Sequence, residues 1–414
     1  MKYFTRDLRY LLAMSVAVMS LATPHTYAQT DTPSLESLAE QIQVLTQAMQ
    51  ALQETVDSQQ DRIRELEEEN DGLRSPSSDF DAVAVNSTKE EKRKLELGAV
   101  VDLVGTSTES HDDINGNDRR SVRDLELILG GPIDSLTRFD ATLSFSDVDD
   151  DVEIEEAYVT YADLLLGWSA RIGRIRPAVG IIIPLHRDAL DTVDEPLVIQ
   201  RYLGDKGFFR TGLEVSRSLP QLSDRLTHQI VGGIVEGGIG DGGSMFGDVR
   251  RHPTFYGRLH SVWEASDSTS IEFGGTGLLG SATEEHRSDV QALALDAAYL
   301  FSFSPERRLK IQSEFFMQNR DDAVPNDDPA GYYGLLDYRV NAKWALGGRY
   351  DNVELVEIDS GEDKAYSAYL TFFQSKFARW RLQYQHVDFA SGGDDNVIFV
   401  QGTFSLGETG RAHD

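Results

Sequence analysis

The sequence has no cysteine, little proline and little basic charge, and each shortage excludes something. Without cysteine the chain cannot rely on disulfide cross-links, so its stability must come from hydrogen-bonded secondary structure. With 39 basic against 69 acidic residues it carries a formal charge of −30. A polyanion binder needs a basic footprint, so nucleic acid is excluded as a partner. Overall hydropathy is polar, which leaves no room for a bundle of apolar membrane helices. No serine, histidine and aspartate arrangement has the spacing of a hydrolase site; the pair His260 and Asp296 is too little to make one, and no enzyme is expected.

The one long apolar run stands at the start. Lys2, Arg6 and Arg9 precede Leu11 to Ala22, and Thr26-Tyr27-Ala28 supplies a small-x-small cleavage site, so residues 1–28 read as a secretory signal. Within 29–75, Leu35, Leu38, Ile42, Leu45, Met49, Leu52, Val56, Ile63, Leu66 and Leu73 fall at alternating steps of three and four, with Gln59 and Asn70 in the same register. That spacing predicts a coiled coil in the periplasm. Asn70 in the seam points to an intermolecular pairing that fixes oligomer state. Residues 76–93 are polar and read as a linker.

From 94 to 414 a different period takes over. In Phe139, Ala141, Leu143 and Phe145 apolar side chains occupy every second position, with Arg138, Asp140, Thr142 and Ser144 between them, which places the two sets on opposite faces of one strand. About sixteen such segments follow one another between positions 94 and 406. The connections sort by parity: the odd ones, such as 176–210 and 240–252, are mostly long, acidic and Gly-rich, and the even ones are tight turns. This is the signature of an all-β, sixteen-stranded antiparallel transmembrane barrel in a bacterial outer membrane, with lipid as its outer partner. Tyr158, Tyr161, Trp168, Tyr256, Trp263, Tyr299, Tyr332, Tyr333, Trp344, Tyr350 and Trp380 lie near strand ends and are expected mostly in interfacial girdles.

The alternate, polar set would line the lumen, because a charge at the bilayer midplane costs roughly 2–4 kcal/mol. It includes Glu126, Arg138, Asp140, Glu156 and Arg171, with Glu214, Arg258, Glu272, Lys310, Glu314, Asp337, Arg349 and Arg381 further along. Arg174, Arg176 and the third long connection add His186, Arg187, Asp188, Asp191, Asp194 and Arg201 as constriction residues. The runs Ile181-Ile182-Ile183-Pro184-Leu185 and Leu197-Val198-Ile199 are too apolar for a surface loop, so this connection is expected to pack inside the barrel. A lone imidazole among carboxylates also makes His186, Asp188, Asp191 and Asp194 a candidate divalent-metal set. The acidic outer loops, Asp113 to Asp118 among them, are a candidate place for loosely held Ca2+ or Mg2+; no other cofactor is expected.

Glu155-Glu156-Ala157-Tyr158-Val159, Arg171-Ile172-Gly173-Arg174, Pro184-Leu185-His186-Arg187, Val193-Asp194, Pro196-Leu197-Val198 and Tyr202-Leu203-Gly204 with Gly212 resemble the phosphate-selective porins of the O and P type. They resemble more closely a related group that carries an N-terminal coiled coil and is linked with zinc regulation or siderophore uptake. The resemblance implies a trimeric or otherwise oligomeric sixteen-stranded porin. Arg187 and Asp188 stand where the zinc-linked relatives tend to carry a second histidine, and the acidic balance departs from a phosphate filter. The chain also ends on a polar tail after Phe404 and Leu406, where such barrels end on an aromatic residue.

The expected function is passive diffusion of small hydrophilic solutes or ions with a weak cation preference. The alternatives are an uptake receptor for a metal or siderophore, and an envelope tether in which the coiled coil reaches toward peptidoglycan and the barrel is only an anchor.

Overall fold

A computed structural model describes residues 95–109, 120–146, 151–164, 166–204, 207–221, 223–238, 243–247, 250–284 and 289–407. The expected signal, coiled coil, linker, Asp113–Asp118 loop and polar tail lie outside the described residues.

Sixteen strands follow in order: β1 Glu96–Thr108, β2 Arg120–Pro132, β3 Thr137–Ser146, β4 Asp151–Tyr161, β5 Trp168–Ile175, β6 Arg210–Ser218, β7 Leu226–Val235, β8 Thr254–Ser266, β9 Thr269–Gly280, β10 Val290–Ser304, β11 Arg307–Arg320, β12 Ala330–Asn341, β13 Trp344–Glu354, β14 Glu362–Ser375, β15 Ala378–Asp388 and β16 Asp394–Gly407. Each pairs antiparallel with its sequence neighbours, and β1 pairs with β16, so the sheet closes and leaves no free edge. The parity of the connections holds over most of the ring, the clearest exception being 147–150 between β3 and β4, which is no longer than 133–136 and shorter than 219–225. Positions 176–209 and 236–253 join odd strands to even ones by long excursions, whereas two residues suffice between β8 and β9, β10 and β11, β12 and β13, and β14 and β15.

The period of two is visible across each pair. Between β14 and β15, Tyr366 opposes His386, Leu370 opposes Leu382 and Phe372 opposes Trp380 on the outer face, while Tyr369 opposes Gln383 and Thr371 opposes Arg381 on the inner one. Leu97, Ile154, Ile172, Leu259, Leu336, Leu346 and Ile398 are among the large apolar side chains left exposed around the outside. An apolar surface of that extent needs a solvent other than water. Aromatics bound it in two rows: Trp344 with Phe372 and Trp380 with Phe404 toward the tight turns, and Tyr332, Tyr350, Tyr366 and His386 toward the long connections. Tyr256 and Tyr333 do not join them. Both are buried in the lumen, where their hydroxyls donate to Glu214 and Glu314.

The hydrophobic core lies inside the barrel. Positions 176–209, here called L3, fold into the lumen and bring Val179, Ile182, Ile183 and Leu190 against Val231, Val235, Tyr256, Leu278, Phe316, Tyr333 and Val353 of the wall. L3 contains one 3-10 turn, Arg187–Ala189, and one short helix, α1, Leu197–Leu203. Pro196 precedes α1 and Gly204, at φ 89°, ends it, the usual sequence punctuation of a helix.

Candidate functional site

A loop buried in a barrel must satisfy its backbone without water. The wall charges do this for L3. The amides of Ile181 and Ile182 donate to Glu314 at 3.1 and 3.0 Å, that of Ala178 to Glu214 at 3.0 Å, that of Val193 to Gln383 at 2.8 Å and that of Leu197 to Asp351 at 3.1 Å. In the other direction Arg123 donates to the Val193 carbonyl at 2.6 Å, Arg349 to that of Asp194 at 2.9 Å, and Arg381 to those of Leu190 and Thr192 at 2.7 Å; Arg379 donates to that of Asp188. Gly180, at φ 62°, sits so close to Glu314 that a Cβ would lie 1.8 Å from its carboxylate, so only glycine fits there.

L3 therefore does more than narrow one rim. It reaches β2, β4 and β6 on one side and β11, β13, β14 and β15 on the other, and every strand carries at least one buried side chain. From β1 to β16 these include Asp102, Glu126, Thr142, Glu155, Ile175, Glu214, Val231, Arg258, Thr276, Asp296, Glu314, Asp337, Arg349, Thr371, Gln383 and Gln401. Part of the connection before β8, Met245 and Phe246, packs into the same core.

The expected constriction residues separate into pairs. Arg138 bonds Glu96 at 2.6 Å and Asp140 at 2.8 Å in the half-open vestibule near the tight turns. Arg171 holds Glu214 at 2.5 Å, Arg174 holds Glu153 at 3.0 Å and stacks on Phe209, and Arg201 holds Asp363 at 2.8 Å. Asp191 is taken by Lys310 at 2.6 Å, and Asp194 by Arg349 at 2.7 Å. The expected metal set of His186 with Asp188, Asp191 and Asp194 therefore does not come together as a whole: Lys310 and Arg349 draw Asp191 and Asp194 to the wall. His260 and Asp296 also part, to Glu272 and Arg258.

His186 meets a different set. Its Nε2 is 2.7 Å from Glu156, and its Nδ1 is 3.2 Å from Glu155 and 3.4 Å from Glu126. Arg176 bonds Glu155 at 2.6 Å, and Arg187 lies 3.6 Å from Asp124 and 3.8 Å from Glu195. Burial and the Arg176 charge both oppose protonation of His186. Glu126 and Glu155 outweigh them and push its pKa up to about 10.

Two residues in these contacts break the simple alternation. The register of β3 against β4 slips between Thr142, opposite Glu156, and Leu143, opposite Ile154, so Glu155 is an inserted residue and both glutamates can face inward. The same slip between β1 and β2 inserts Arg123, which bonds Asp102 at 2.5 Å. Strict alternation therefore does not place Arg123 and Glu155 in the lumen. The signal was there: a charge at an apparently lipid-facing position cannot stand, and two adjacent glutamates in one strand demand a bulge.

No model of a known family matches the sequence. A protein of Aquifex aeolicus strain VF5, described as uncharacterized, is 25% identical over 342 residues, 74% of this chain and 71% of its own length. Among solved structures, the anion-selective porin of Comamonas acidovorans superposes with a TM-score of 0.53 at 13% identity, covering 76% of this chain and 100% of its own. Salmonella typhi OmpF in complex with daunomycin gives 0.52 at 10%, covering 76% and 98%. The fold is that of the outer-membrane porins. The trimer form of OmpT from Vibrio cholerae has the same porin-like barrel, with a TM-score of 0.50 at 10% identity over 76% of this chain and 100% of its own.

Proposed function

We propose that the chain is an outer-membrane channel in which L3 sets the passage for small hydrophilic solutes or ions. The observation that carries this reading is a closed ring, apolar outside and charged inside, crossed by a loop pinned to both walls. Because L3 crosses the lumen and is held to both walls, the passage is narrow. The acid excess supports a weak preference for cations. The heptad seam of residues 29–75 and the trimeric V. cholerae neighbour support a homotrimer whose coiled coils stand in the periplasm toward peptidoglycan. The likeness of L3 to the O and P type porins supports placing the chain beside the coiled-coil group of that family.

Planar-bilayer recording of the refolded mature chain tests this. Small open steps with a cation-favouring reversal potential in a salt gradient are the expected result. Silent bilayers with protein that is folded by its heat-dependent gel mobility would overturn the channel, and a reversal potential of the opposite sign would overturn the preference.

A further inference from the structure

The cluster around His186 holds more than a loop anchor needs. His186 is buried, and its Nδ1 faces the Glu126 and Glu155 carboxylates without making a hydrogen bond to either. Its other nitrogen is fixed by Glu156 at 2.7 Å. We propose that Glu126, Glu155 and His186 form a site for a divalent ion of the zinc class, with Glu156 orienting the imidazole from behind.

Three observations carry this. First, one ligand atom from each of the three residues lies within 4.8 Å of the others, and all three residues are buried. Second, Nδ1 is 3.2 and 3.4 Å from the two carboxylate oxygens. Ligands bound at the usual zinc distances and at a tetrahedral angle are about 3.4 Å apart, so an ion fits between them with little movement. Third, a ligating histidine ordinarily gives its remaining N–H to a carboxylate, and Glu156 is in that place because the β4 bulge turns two consecutive glutamates inward. One imidazole with two carboxylates suits zinc, cobalt or cadmium better than calcium, which takes oxygen ligands throughout. The guanidinium of Arg176 on Glu155 opposes a second cation. Yet Asp124, Glu126, Glu155, Glu156 and Glu195 outnumber Arg176 and Arg187, so a dication in place of the imidazole proton leaves the cluster net negative. The ion would tie L3 to β2 and β4. The site stands whether or not the barrel conducts.

Cobalt titration of the refolded full-length mature chain in detergent tests it by visible absorption, with zinc as competitor. One equivalent of Co2+ giving the intense bands of a four-coordinate ion, displaced by Zn2+, is expected. Glu126→Gln and His186→Gln should abolish those bands, and Glu156→Gln should weaken binding by about 10- to 100-fold. No uptake, a pale six-coordinate spectrum in the unaltered chain, or bands that persist in Glu126→Gln would each overturn the site. Should His186→Gln fail to fold, the unaltered spectrum and the variants Glu126→Gln and Glu156→Gln decide the matter.

Discussion

One flank of L3 is apolar, with Val179, Ile183, Val198 and Leu203 in one core with Val231, Leu278, Phe316 and Val353 of the wall; the other is polar, held by Arg123, Glu126, Glu155, Arg349, Arg379 and Arg381 on β2, β4, β13 and β15. The first flank is an ordinary protein interior turned inside a barrel. Its stabilisation grows with apolar area at roughly 25 cal/mol per Å², so no single side chain decides it. The second flank is made of discrete partners, each satisfying a backbone group or a charge that would otherwise be stranded. The apolar flank should therefore yield gradually to mutation and the polar flank abruptly.

The sharpest way to break this contrast is at Arg349, which is buried and bonds Asp351 and Asp194, both at 2.7 Å, as well as Thr192 and the Asp194 carbonyl. Arg349→Met leaves two carboxylates buried without their cation, a loss of about 3–5 kcal/mol in the docking of L3. Single-channel recording should show larger, noisier openings. Ile199→Val removes one methylene from the apolar flank and should cost about 0.5–1.5 kcal/mol, with conductance little changed. Equal effects of the two variants would remove the distinction between the flanks.

Acid probes the same anchor with a smaller effect. Burial raises the Asp194 pKa, but Arg349, Gln383 and Gln385 outweigh it and hold the carboxyl below its ordinary value. A depressed folded pKa contributes stability above the unfolded value, about 3.9, and that stability is lost as pH falls through the folded one. The rise in protease access to L3 that is due to Asp194 should begin only below about pH 4, and Asp194→Asn should remove it. A rise near neutrality would show that another group governs the loop.

Which parts of this arrangement can be read without coordinates follows from the same physics. The barrel is legible because Phe139 to Phe145 and their counterparts repeat a period of two, and because loop lengths alternate by parity over most of the ring. The burial of L3 is legible from Ile181 to Leu185 and Leu197 to Ile199, which no surface loop could carry. The partners of L3 are not. Asp188, Asp191 and Asp194 lie close to His186 in sequence, yet Asp191 and Asp194 pair with cations on strands more than a hundred positions away, and His186 finds Glu126 and Glu155 on two others. Proximity in sequence says little about contact across a closed ring, and a bulge inverts the faces on which alternation depends.

Lys310 and Asp191 sharpen the comparison at its weak end. Their contact is 2.6 Å long, like that of the buried pairs, but both side chains keep about a quarter of their surface open, at 25% and 26%. Water and salt reach them, so the pair contributes about 0.2–1 kcal/mol. Lys310→Met should leave folding and L3 protease access almost unchanged and should depend on ionic strength, whereas Arg349→Met should not. Chemical denaturation of the two variants at low and high salt separates these outcomes. A loss at Lys310 as large as that at Arg349 would mean that bond length, and not exposure, sets what an anchor of this loop contributes.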